Sequence, residues 1–159
     1  MKKMVVAFLI CVICPGVITY CNGQNVSREQ EVKIEKQVDS LFNAMIKAAE
    51  DIDYYKLNKG VDDRYKAGFI ANNTYFEQFD SLINKTIRNS QGIVKQNITI
   101  KKQKITVLTE NIVLLTAFGD LRAEVSGGNE FDLKFYWSFV YEKINTGWKV
   151  IQSHQSTLR

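Results

Sequence analysis

Residues 131–157 read FDLKFYWSFVYEKINTGWKVIQSHQST. This is two long amphipathic arms joined by a turn at Asn145-Thr146-Gly147. The stretch holds seven of the chain's 18 aromatic residues and its only histidine, His154. Side chains alternate across a strand, so each arm can be divided into faces. In the first arm Phe131, Leu133, Phe135, Trp137, Phe139 and Tyr141 share one face without a polar residue. Asp132, Lys134, Tyr136, Ser138, Val140 and Glu142 share the other. In the second arm, unbroken alternation puts Trp148, Val150, Gln152, His154 and Ser156 together. The rest of the chain reads as a means of covering and positioning this hairpin.

Working back from it, residues 112–125 form a long strand, closed by a turn at Ser126-Gly127-Gly128-Asn129. Before that, Val94, Gln96, Ile98 and Ile100 alternate with Lys95, Asn97, Thr99 and Lys101, and a short run over 105–108 turns at Thr109-Glu110-Asn111. Upstream of Gly92 the period changes from 2 to 3.6. Ser27 and Gln30 form a capping box. Ile34, Val38, Leu41, Phe42, Met45, Ala49 and Ile52 then recur at helical spacing, which predicts one helix over 28–57, stopped by Asn58-Lys59-Gly60. A second box, Thr74 to Glu77, predicts a helix carrying Phe79, Leu82, Ile83 and Ile87. Between the two, residues 62–65 read as a short helix and 68–70 as a short extended piece. Helices followed by an antiparallel meander indicate an α+β fold.

The first 23 residues read as a separate object. Lys2 and Lys3 precede an apolar run, the pattern of a secretory signal peptide, with Gly23 as the cleavage residue. Lipidation at Cys21 is the less favoured alternative, because Tyr20 is bulky where a small residue is needed. Cys11, Cys14 and Cys21 all fall in this segment, so the expected mature chain, a single domain over 24–159, has no cysteine. It also loses Lys2 and Lys3, which leaves 19 basic against 17 acidic residues, a net +2. Such a balance points to neither nucleic acid nor a membrane surface. The apolar run is short for a membrane span, so none is expected in the mature chain. The expected location is periplasmic or extracellular. One histidine and no mature cysteine do not suggest a metal site, and no cofactor is implied.

The closing Gly147-Trp148-Lys149-Val150-Ile151, with His154 and Ser156, resembles the last strand of the SnoaL-like, nuclear-transport-factor-2-like superfamily, which has a cystatin-like fold. Phe69-Ile70-Ala71-Asn72-Asn73 resembles its small exported bacterial members. The resemblance implies a cone: a long first helix and two smaller ones, wrapped by a curved antiparallel sheet around a pocket. In that cone Tyr54, Tyr55 and Tyr65 would rim the pocket mouth. The superfamily hosts enzymes, ligand binders and association domains, so fold does not give function.

Pairing Tyr136 with His154 across the hairpin would gather Tyr136, Ser138, Gln152 and His154 beside Trp148. A few polar groups on an apolar wall suit a small-molecule site; a hydrogen-bonded structural network is the alternative. The expected ligand-binding residues are therefore Tyr65, Tyr136, Ser138, Trp148, Gln152 and His154. The leading expectation is a non-catalytic binder of a small, partly apolar molecule. An isomerase, cyclase or hydrolase would need His154 or a buried carboxylate as general base. If the mixed face lines the pocket, the aromatic face is external, and a homodimer through the sheet with Trp137 near its centre follows. Opposite parity would make the aromatic face core, since one residue of slip exchanges the faces.

Overall fold

The computed structural model describes residues 26–158; the expected signal segment, with Cys21 and Gly23, lies outside them. Ser27 caps the first helix as its sequence predicts. Its hydroxyl accepts from Gln30 N at 3.2 Å, and Gln30 Oε1 accepts from Ser27 N at 3.1 Å. Helix α1 runs Arg28–Glu50, with Ile34, Val38 and Phe42 buried against the sheet.

The helix ends seven residues before the expected point. Ile52 turns to φ 59°, and the amides of Ile52 and Asp53 return to the carbonyls of Ala49 and Ala48, each at 2.9 Å. That pairing is the Schellman ending, usually made by glycine. The chain then crosses as a 3₁₀ helix, Tyr54–Gly60, and makes a turn, not a helix, at Arg64-Tyr65.

Strands β1 (Phe69–Ala71) and β2 (Thr74–Phe76) form a tight antiparallel hairpin. Thr74 therefore belongs to a strand and is not a helix cap. Helix α2 spans Phe79–Asn89 with no cap from its own Gln78. Asp63 Oδ2 accepts from Phe79 N at 3.3 Å instead. β3 (Ile93–Thr109), β4 (Ile112–Val125), β5 (Glu130–Ile144) and β6 (Gly147–Leu158) follow as the expected meander, with 105–108 continuous with β3.

The six strands form one curved sheet in the order β2-β1-β6-β5-β4-β3. It is mixed, not purely antiparallel: β1 lies parallel to β6, with Phe69 opposite Ser153. Three helices pack on one face of this sheet, which is the α+β architecture expected. The core gathers Phe42, Phe69, Phe79, Phe135, Phe139 and Trp148 between the layers. No helix among the described residues is long and apolar enough to cross a membrane.

Candidate functional site

The β5–β6 ladder decides which side chains face the helices. Val140 pairs with Gln152, but the next pair is Tyr141 with Val150. Ile151 is thus an extra residue, a β-bulge. Trp148 and Val150 before it are buried facing inward; after it Ser153 is buried and His154 exposed. Unbroken alternation would have kept Trp148 and His154 on one face. The bulge places them on opposite faces.

The same ladder corrects the expected pairing. His154 pairs with Ser138, and Tyr136 with Ser156. The aromatic face of β5 is the inner one: Phe135, Phe139 and Tyr141 are at most 2 % exposed. The mixed face is outer, and Tyr136 is 46 % exposed. Tyr136, Ser138, Gln152 and His154 do come together, but on the outside of the sheet. Trp137 is inside, stacked on Phe135 at 4.0 Å between ring centroids, so it cannot centre an interface on the outer face. Tyr65 is exposed, and its hydroxyl donates to Glu142 Oε1 at 2.9 Å.

Of the six expected binding residues, Trp148 alone borders the space enclosed beneath the sheet. That space is a cavity of about 940 Å³. Its sheet wall is the inner face of β5, with Phe131, Leu133, Trp137, Phe139 and Tyr141, continued by Leu121 on β4 and Val150 on β6. Its helical wall is Leu41, Met45 and Ala48 of α1, Leu82 and Ile83 of α2, and Tyr54 and Leu57 of the 3₁₀ helix.

The polar groups in this wall are few. Gln96 is buried on β3; its amide donates to the Tyr54 hydroxyl at 3.1 Å and also to the Ala49 carbonyl. It thereby ties the end of α1 to the sheet. Trp148 Nε1 donates to Gln37 Oε1 at 3.0 Å. The Thr157 hydroxyl donates to Asn72 Oδ1 at 3.0 Å, with Asn72 held at φ 52°. Burial pushes the Tyr141 phenol above its ordinary pKa. Lys56 and Lys59 are the charged lining residues, and no carboxylate or imidazole lines the cavity among the described residues. No three His, Cys, Asp or Glu residues among them come together as a metal site.

Gln96 and Tyr141 are polar lining residues that sequence reasoning did not select; of the three tyrosines expected at the pocket mouth, Tyr54 lines the cavity and Tyr55 and Tyr65 do not. Gln96 carried a signal: it occupies the apolar phase of an alternating strand, where a polar side chain must find partners inside. Tyr141 ends the apolar row of β5, and only the parity of that row was undecided.

No curated protein matches the sequence. Several solved structures share the fold. A nuclear transport factor 2-like superfamily protein from Salmonella enterica superposes with a TM-score of 0.71 at 15% identity, covering 81% of this chain and 94% of that one. A hexachlorocyclohexane dehydrochlorinase from Novosphingobium barchaimii gives 0.67 at 10% identity, covering 84% and 92%. An uncharacterised cystatin-like-fold protein from Caulobacter vibrioides gives 0.62 at 9%, covering 79% and 89%. Identities this low establish the architecture alone. Sequence reaches further, for residues 38–159 match the SnoaL-like domain. Helices over a curved sheet, an apolar cavity between them and this match across most of the chain agree, and the protein belongs to the SnoaL-like domain family.

Proposed function

We propose that the protein binds a small, mostly apolar molecule in the cavity between helices and sheet, without transforming it. The observation that carries this reading is the wall itself: about 940 Å³ bounded by aromatic and aliphatic side chains, within the range of small-molecule sites. An enzymatic reading is prompted by the dehydrochlorinase of the same fold, but it needs a base facing the substrate. His154 lies on the outer face, and the carboxylates of Glu50 and Asp39 are engaged elsewhere, accepting from Ile98 N at 2.9 Å and Gln103 Nε2 at 2.7 Å. The reading includes export of the chain after removal of residues 1–23. Thermal melting with a panel of uncharged lipophiles tests the binding role. A true ligand at a hundred times its Kd should add about 2.7 kcal/mol of stability. Unchanged melting with every lipophile would remove the proposal.

A homodimer through the sheet is the second reading, now carried by different residues. Phe118 and Tyr136 stack at 6.1 Å on the outer face and are 39 % and 46 % exposed. They form an aromatic pair on a largely polar surface, and buried aromatics dominate interface energetics. Sedimentation of the wild type and of Tyr136→Asp tests it: a dimer should become a folded monomer, and a monomeric wild type ends this reading.

A further inference from the structure

Among the described residues, one buried polar side chain on the cavity wall has no hydrogen-bond partner. Tyr141, the last of the inward aromatic row, is 2 % exposed and borders the cavity. The hydroxyls of Tyr54 and Tyr65 are hydrogen-bonded to Gln96 and Glu142; that of Tyr141 has no partner among the described residues. Nor is it sealed in. Among the described residues the fully enclosed unpaired side-chain atoms are Asn58 Oδ1 and Glu142 Oε2, so the little area left to Tyr141 includes its hydroxyl.

The surroundings define what could meet it. Tyr141 pairs with Val113 on one side and Val150 on the other, and Phe139 lies 6.4 Å away between ring centroids. Burial alone shifts the phenol, and it shifts it upward, so the group stays a neutral donor. A buried hydroxyl normally finds a partner, and one left unpaired has lost its bonds to water. A charged acceptor would be stranded in this wall. Of the two charged lining residues, Lys56 is already paired with Asp53 at 2.7 Å, and both lysines are exposed.

We infer that the Tyr141 hydroxyl is the hydrogen-bond donor of the ligand site, and that the ligand is an uncharged, largely apolar molecule presenting an oxygen acceptor to it. The proposal rests on the ligand-binding reading above and assigns that site its specificity.

Three probes sharing one ring system separate the possibilities: acetylnaphthalene, ethylnaphthalene and naphthoate, titrated calorimetrically into wild type and Tyr141→Phe. Wild type should bind acetylnaphthalene about fivefold more tightly than ethylnaphthalene, the worth of one net hydrogen bond, and naphthoate most weakly. Tyr141→Phe should erase the preference by weakening acetylnaphthalene alone. Equal binding of the two neutral probes to wild type, a preference that survives Tyr141→Phe, or tightest binding of naphthoate would each overturn the inference while leaving the cavity a binding site. If none of the three binds wild type, the ligand-binding reading fails and the inference falls with it. The wild-type comparison stands whether or not the variant folds.

Discussion

Phe135 lies across the backbone of Gly119, its partner in the β4–β5 ladder. A β-carbon at position 119 would overlap the Thr99 carbonyl oxygen and come within 2.8 Å of Phe135 Cζ. The carbonyl belongs to the β3 backbone and cannot swing aside. Phe135 in turn carries Trp137 stacked upon it, so the displacement would reach the cavity wall. Gly119→Ala is therefore expected to cost at least about 1–3 kcal/mol, the usual penalty of overpacking, as a lowered midpoint in chemical denaturation. Unchanged stability would mean the sheet can open there. Tyr141 sets a second residue-scale expectation. Its folded-state pKa is raised by burial, so the folded form resists ionisation. That contribution is complete below the ordinary tyrosine value near 10 and is lost as pH rises above it. Stability should fall by up to about 1.4 kcal/mol per pH unit beyond that point, and tyrosinate absorbance should show one tyrosine ionising only on unfolding. Tyr141→Phe should remove that step; a smooth titration of every tyrosine in the folded protein would contradict it.

At the scale of elements, local signals were legible and long-range ones were not. The Ser27 cap, the hairpin turns and the strands β3 to β6 are written in neighbouring residues and formed, whereas the Thr74–Glu77 box did not. The end of α1 was hidden because Ile52, not glycine, takes the left-handed conformation. That region is disfavoured for a β-branched residue, and Ile52 packs against the core. The faces of β6 were hidden because one bulge residue, Ile151, inverts every assignment after it. For the candidate site, Trp148 lies before the bulge and borders the cavity; His154 and Gln152 lie after it and do not. Cysteine scanning reads the inversion directly, since a chain beginning at Gln24 has no other thiol. His154→Cys should react with a thiol reagent as an exposed residue. Ser153→Cys, at a site 0 % exposed, should react at least ~100-fold more slowly, because reaching it needs local opening worth about 3 kcal/mol. The reverse order would place the faces as unbroken alternation does. The β3 edge fits the same logic of local chemistry: Lys95, Lys101, Lys102 and Lys104 line it, and charged side chains discourage pairing with another chain.

For the whole molecule, the decisive contact is the least local one. β1 joins the sheet through β6, parallel to it, and the Asn72 side chain clamps Thr157 N at 2.8 Å. Such pairings between distant segments slow folding, and no short-range pattern announces them. Here they place β6, made after the other five strands of the sheet, in an inner position between β1 and β5. On a ribosome, the β1–β2 hairpin and the β3–β4–β5 meander therefore wait as separate pieces until β6 emerges. Meanwhile the aromatic row of β5 lacks its β6 neighbour, and surface of that kind is prone to aggregation and chaperone capture. A nascent chain halted at residue 144 should be degraded by limited proteolysis along its whole length, including the N-terminal helix, whereas one extended past residue 158 and a tether should resist. Protection of the helix in the shorter chain would show that the two halves mature independently. The strand that joins the two parts is thus made after both of them, so neither half can complete its side of the sheet before β6 is made.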